Sequence, residues 1–342
     1  MQRCLQLAKF GMGKVAPNPM VGAVLLYKDK IIGEGYHSQY GEAHAEVNCL
    51  QSVSEDKKHL IEKSTLYVNL EPCSHFGKTP PCTRLIIHHK IPQVVISNID
   101  PFPKVSGSGI AQLREAGIDV TTGICEAEGK ELNKRFFTFY EKKRPYIILK
   151  WAQTADGFIG LPGNQKVPIS NEYTNRLVHK WRSGESAILI GTNTALSDDP
   201  RLTNRLWSGN SPVRIVLDKK LRLPEYLHIF DNEVPTLIFN AEKQQRRKDT
   251  EWIQIPFSGT ILTDILHVLY EKKILSVLIE GGAKTLQSFI SSGIWDEARV
   301  ISSNSFCGQG IPAPVLTKQQ PVRKEEVSGD RIYFFENKNR PI

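Results

Sequence analysis

His44 and Glu46 spell H-A-E, and Pro72-Cys73 and Cys82 follow downstream. Together these are a metal-ligand set. Two thiolates and a neutral imidazole fill three positions of a tetrahedral Zn2+ and leave the fourth for water. The ion acidifies that water, and a nearby carboxylate can carry its proton to a leaving group. Geometry imposes a condition. Side chains at i and i+2 do not share a face of a regular helix. His44 and Glu46 can therefore serve one ion only where the backbone opens at a helix N-terminus. A second helix starting just after Pro72 or Cys82 would present another N-terminus, and both would favour thiolate over thiol. Blander readings attach to the same residues. A lone H-x-E occurs on surface helices. Two cysteines in a turn can be half of a closed structural site, with His75 as the local fourth ligand. The order H-x-E, strand, Pro-Cys, Cys favours the catalytic reading.

The elements that must hold these residues follow from apolar spacing. Arg3–Gly11 has helical spacing, and MVGAVLLYKDKIIGEGYH reads as a hairpin turning at KDK. EAHAEVNCLQSV follows as a helix, STLYVNL (64–70) as a strand, CTRLIIHHK as a helix and QVVISNI as a strand. GIAQLREAGI is a helix ended by Gly117, and AEGKELNKRFFTFYEKK is one last amphipathic helix. Alternation of this kind implies an α/β layered domain. A basic, proline-containing junction near 143–146 then opens a second α/β domain with strands SAILIG, VRIVLD, TLIFN, LSVLIE and ARVISS. The expected domains are 1–143 and 146–342.

The 342 residues carry a net charge of +8, a composition that suits anionic partners such as phosphorylated small molecules or nucleic acid. No run of eighteen apolar residues is present, so no membrane helix is expected. The first residues, MQRCLQLAKFGMGK, read as a helix already under way, as from a start that has lost a few residues. Six cysteines are read as reduced thiols in a cytoplasmic protein.

The H-x-E and two-cysteine set is that of zinc deaminases, whose glutamate is not a ligand. Nucleic-acid deaminases usually space their cysteines as C-x-x-C, whereas SHFGKTPP separates them here. That loop carries His75 and Lys78, a ring and a cation suited to a phosphate or a polar heterocycle. With NPMVGAV and HAEV, the stretch EPCSHFGKTPPC resembles the deaminase half of the bifunctional riboflavin-biosynthesis deaminase/reductases, and the resemblance covers essentially the whole chain. It implies a cytidine-deaminase-like α/β/α domain and hydrolytic deamination of a 2,5-diamino-6-(phosphoribosylamino)pyrimidinone. It also implies one Zn2+ held by His44, Cys73 and Cys82, Glu46 as the proton shuttle, and substrate contacts from Asn18, His37, His75 and Lys78. Taken alone, Asn18 is equally a turn residue before Pro19, and His37 equally a strand-end histidine.

In the second half, LIEGGAKTLQSFI places Glu280 at a strand end, then two glycines, then a helix. Glycines admit close backbone approach and a helix N-terminus favours phosphate. With KWAQTADGFIG and GTNTALSDDPRLTNR, this half resembles the family's reductase, whose fold is like dihydrofolate reductase. The resemblance implies NADPH-dependent reduction of the ribosyl unit to ribityl. Nucleotide contacts would come from Ala152, Pro168, Thr194, Asp198, Gly282, Ala283, Lys284, Thr285, Leu286, Gln287 and Ser288. Substrate contacts would come from Lys150, Lys166, Arg182, Leu202, Arg205 and Glu280, with Arg182 and Arg205 as phosphate clamps. A homo-oligomer with a small-molecule substrate, and no nucleic-acid or membrane partner, is expected. A zinc-stabilised nucleic-acid binder would give Glu46 no role, and aromatics are only 8% of the chain. A deaminase that has lost reduction is disfavoured by Asp198, Arg205 and EGGAKT.

Overall fold

The computed structural model describes residues 1–76, 80–103, 105–161 and 168–338. The chain forms two compact units, Met1–Lys142 and Lys143–Ile342. Among the described residues no helix is long and apolar enough to cross a membrane.

The first unit runs α1 (Gln2–Ala8), β1 (Gly22–Tyr27), β2 (Lys30–Tyr36), α2 (Ala45–Gln51), β3 (Thr65–Leu70), α3 (Cys82–His88), β4 (Gln93–Asn98), α4 (Ser108–Glu115), β5 (Asp119–Thr121), α5 (Glu126–Leu132) and α6 (Lys134–Lys142). Its sheet has the order β2-β1-β3-β4-β5. The β1–β2 hairpin is antiparallel and closes through Lys28–Asp29, whereas β3, β4 and β5 are parallel. Leu25, Leu66, Val68 and Ile96 of the sheet pack on Ala45, Cys49 and Leu50 of α2, Ile86 of α3 and Leu113 of α4. Each buried large aliphatic contributes about 1.5–3 kcal/mol.

Close packing sets where α2 begins. A Cβ on Gly35 of β2 would lie 2.2 Å from the backbone nitrogen of Cys49 and 2.6 Å from the carbonyl oxygen of Ala45. Gly35→Ala is therefore expected to push α2 off the sheet. The expected cost is roughly 1–3 kcal/mol, read as a lower unfolding midpoint, with weaker zinc retention because His44 and Glu46 travel with the helix.

The stretch expected as one amphipathic helix is two. Asn133 interrupts it at φ −102° and ψ 23°. Its amide accepts the Met20 N–H and donates to the Met20 carbonyl, both at 2.9 Å. A side chain bonded to distant backbone in this way competes with helix continuation. Strand β5 was not expected either. Three residues are too few to show a period.

The second unit runs β6 (Tyr146–Gln153), α7 (Glu172–Gly184), β7 (Ala187–Gly191), α8 (Thr192–Asp198), β8 (Val213–Leu217), β9 (Thr236–Asn240), β10 (Gln245–Arg247), β11 (Thr250–Gln254), α9 (Ile261–Glu271), β12 (Ser276–Ile279), α10 (Ala283–Ser291), β13 (Glu297–Ser302), β14 (Arg323–Val327) and β15 (Asp330–Glu336). The sheet order is β10-β11-β9-β8-β7-β12-β6-β13-β15-β14. Strands β11 through β13 of that order are parallel, and the flanking β10, β15 and β14 pair antiparallel. The charged edge strands QRR and RKEEV carry no apolar signal, so their strand state comes from their neighbours.

Alternation along β6 assigns its two faces. Ile147, Leu149 and Trp151 enter the core with Ile265 and Leu269 of α9 and Phe289 of α10. Lys150 and Ala152 therefore share the opposite face, where Ala152 packs with Leu177, Val178 and Trp181 of α7. Strand β12 repeats the pattern. Val277 and Ile279 enter the same core. Glu280 thus follows on the α7 side.

Candidate active sites

In the first unit His44 is the residue before α2, with extended backbone at φ −72° and ψ 165°. Glu46 lies in the first helical turn. That break in the helical path answers the i, i+2 problem. Cys82 is the first residue of α3. The Thr83 N–H binds the Cys73 carbonyl at 3.2 Å and the Cys82 N–H points to Cys73 Sγ at 3.3 Å. His44 Nδ1 lies 3.6 Å from Cys73 Sγ and 3.4 Å from Cys82 Sγ, and the three ligand atoms lie within 4.8 Å of one another. The Cys82 thiol hydrogen-bonds Cys73, and this lowers Cys73 to about 4 and raises Cys82. A pre-formed thiolate beside a second thiol and an imidazole fits zinc. Glu46 is 3% exposed, and burial, followed by the Cys73 charge, raises its pKa.

Around this cluster the expected contacts separate. His37 Nδ1 donates to the Ala43 carbonyl at 3.0 Å, which leaves Nε2 to accept from Asn18 Nδ2 at 3.1 Å. Both ring nitrogens are used inside the fold and the ring is buried. In this arrangement His37 orients Asn18 instead of meeting a ligand itself. His75 is exposed, edge-to-face with Phe102 at 5.9 Å. Lys78 lies outside the described residues. Glu71 was assigned no role from sequence. Its carboxylate accepts four backbone N–H groups, from Asp100, Gly107, Gly109 and Ile110, at 2.9–3.2 Å. It fastens the strand end before Cys73 to the start of α4. The acid directly before Pro-Cys was the available signal.

In the second unit Lys150 of β6 and Glu280 after β12 are neighbours because β12 pairs with β6. Glu280 takes both arms of Arg182 from α7, Nε at 2.9 Å and Nη2 at 2.8 Å, with Lys150 Nζ at 3.6 Å. Its side chain is 6% exposed. Burial raises its pKa, but Arg182 and Lys150 outweigh it and hold the carboxyl at about 2. Burial lowers the pKa of Lys150. A second cluster forms where β7 and β12 end side by side. A Cβ on Gly281 would lie 2.6 Å from Ile190, and one on Gly282 would lie 3.2 Å from Thr194 Oγ1 and 3.7 Å from Thr285 Oγ1. The starts of α8 and α10 therefore meet over the strand ends, the usual place for a ligand in an open α/β sheet.

A family model for the RibD C-terminal domain matches residues 145–335, and one for the cytidine and deoxycytidylate deaminase zinc-binding region matches residues 1–98. The riboflavin biosynthesis protein RibD of Aquifex aeolicus is 40% identical, covering 98% of this chain and 97% of that protein. The chain belongs to the RibD family. RibD of Escherichia coli is 34% identical over 90% of this chain and 88% of that protein. The crystal structure of a diaminohydroxyphosphoribosylaminopyrimidine deaminase/5-amino-6-(5-phosphoribosylamino)uracil reductase from Thermotoga maritima matches with a TM-score of 0.89 at 36% identity, covering 98% of this chain and 97% of that one. The chain is thus a two-activity enzyme of riboflavin biosynthesis, a deaminase and a reductase, with Zn2+ and NADPH as its cofactors.

Several residues expected at the reductase site have side chains packed or hydrogen-bonded within the fold. Leu286 is 1% exposed in the central core, and Leu202 is 2% exposed beside Ile188 and Val216. Leu202 also has φ +55°. Gln287 Oε1 accepts the Val315 N–H, and Ser288 Oγ donates to the Lys284 carbonyl, so both serve the helix and its neighbouring loop. Arg182 is committed to Glu280, and its Nη1 donates to the Thr203 carbonyl at 3.3 Å. Arg205 is exposed. Asp198 ends α8 and Pro168 is exposed, whereas Lys166 lies outside the described residues.

Proposed function

We propose that residues 1–143 deaminate 2,5-diamino-6-(5-phosphoribosylamino)pyrimidin-4-one and that residues 146–342 reduce the ribosyl unit of the product to ribityl. The observation that carries the first step is a buried Glu46 next to three clustered ligand atoms. His44, Cys73 and Cys82 hold the zinc, which when bound supplies an acidified water. Glu46 accepts a proton from the water and delivers it to the departing amino nitrogen. Asn18, with its amide set by His37, and His75 and Lys78 of the long loop hold the heterocycle and its phosphate.

For the second step, Gly282 to Thr285 and Thr194 offer a helix N-terminus and hydroxyls to the phosphates of the nucleotide. NADPH when bound supplies the hydride. Arg205 takes the substrate phosphate, and Lys150 with Glu280 holds the sugar. We also propose a cytoplasmic homo-oligomer acting on small molecules. The test is metal analysis combined with ammonia release and NADPH consumption on the diaminopyrimidine phosphate. Arg205→Ala is expected to raise KM for the deaminated intermediate about 10- to 100-fold, the loss of one charge-assisted contact, with ammonia release unchanged. An equal loss in both assays would remove Arg205 from the site.

A further inference from the structure

His179 lies on α7 one turn before Arg182 and is 4% exposed. Its Nδ1 lies 3.1 Å from the backbone nitrogen of Arg205. A backbone N–H can only donate, so Nδ1 carries the lone pair and a neutral ring carries its proton on Nε2. The ring is neutral at ordinary pH. Burial, then the Arg182 and Arg205 charges, lowers it to about 4. Among the described residues Nε2–H has no hydrogen-bond partner. Lys150, Arg182 and Arg205 near it carry only donors on their side chains, and Glu280 is engaged by Arg182 with no hydrogen bond to the ring. The Nε2–H is thus a neutral donor beside three cationic side chains, free to meet an acceptor brought by a ligand.

We propose that His179 is a substrate-positioning residue of the reductase site. Its Nδ1 fixes the turn that presents Arg205, and its Nε2–H donates to an oxygen of the phosphorylated ribosyl unit. The inference rests on reading the second unit as the reductase. It differs from a purely structural role, because a histidine that only braced the 199–205 turn would leave Nε2 with nothing to do. It also explains why an uncharged group sits among three cations. A neutral donor adds a directed contact without further like-charge repulsion.

Two variants separate the halves of the idea. His179→Leu removes acceptor and donor. His179→Asn places an amide oxygen near the Nδ1 position and holds the turn, but offers nothing at Nε2. His179→Leu is expected to raise KM for the deaminated intermediate about 30-fold or more, and His179→Asn about tenfold, the weight of one hydrogen bond. kcat should stay within a few-fold, with KM for NADPH, ammonia release and the unfolding midpoint close to wild type. Ring 15N spectra, assigned by the signal lost in His179→Leu, should show the Nε2–H tautomer at neutral pH. A wild-type KM in His179→Leu would overturn the proposal. So would an Asn variant indistinguishable from wild type, an Nδ1–H tautomer, or a fall in kcat, NADPH affinity and melting together. A wild-type enzyme that cannot oxidise NADPH with the intermediate would overturn the reductase reading itself, and this inference with it.

Discussion

Glu46→Gln is expected to slow ammonia release roughly a thousandfold while zinc stays bound, within the span usual for losing a positioned acid–base group. The carboxyl is buried at the start of α2, and it is absent from the cluster of three ligand atoms. Glutamine keeps its size and position but cannot take up and release a proton. Burial, reinforced by the Cys73 charge, raises the Glu46 pKa, so the group stays protonated to a higher pH than an exposed glutamate. A protonated Glu46 cannot accept a proton. The wild-type rate should therefore fall on the acid side, and the residual rate of the variant should lack that limb. The measurements are ammonia release against pH, zinc content, and NADPH oxidation with the deaminated intermediate supplied directly. Zinc loss would recast Glu46 as a structural support, and surviving deamination would end its assignment as proton shuttle.

Glu280→Gln should strike the other unit. Glu280 holds Arg182 and Lys150 together on the buried α7 side of the sheet. Its folded pKa is about 2, against an ordinary value of 4.5. A depressed carboxylate pKa contributes stability that is complete above the unfolded value and is lost as pH falls through the folded one. Between pH 6 and 8 the contribution is full, on the order of 3 kcal/mol for a shift of this size. Removing the charge also leaves two cations facing each other in a buried site, a change that costs roughly 3–5 kcal/mol when a buried pair is broken. The expected result is a clearly lower unfolding midpoint at pH 7 and loss of NADPH oxidation. The difference in midpoint from wild type should shrink as pH falls below 4. Ammonia release should persist. A variant as stable as wild type at pH 7 would mean that the ion pairs contribute nothing net.

The metal site was legible because its chemistry demands residue types that are rare together. One imidazole, two thiols and a carboxylate in fixed order left few alternatives, and HAE fell where a helix had to begin. The reductase site was legible only in part. EGGAKT announced a strand end and a helix start, since glycines there are needed for backbone approach to Ile190 and Thr194. The side-chain placements of Leu202, Leu286, Gln287 and Ser288 were not legible, because a motif names positions without saying which way each side chain points. Asn133 was misread for a related reason. Its partner is Met20, far away in the chain, and helical spacing contains no such contact.

The sequence by itself determined the two α/β layers, the order of nearly all their main elements and the kind of chemistry at each site. These depend on period, turn residues and ligand type, all of which are local. Tertiary structure decided which groups are free to act. Pairing of β12 between β6 and β7 put Glu280 beside Lys150 and under Arg182. That contact makes Arg182, expected as a phosphate clamp, an ion-pair partner of Glu280. Likewise the extended backbone at His44, and a helix that starts at Cys82, brought three distant ligands within one ion's reach. Such meetings depend on strand order and on backbone direction at helix ends, and neither is written in the spacing of residues along the chain.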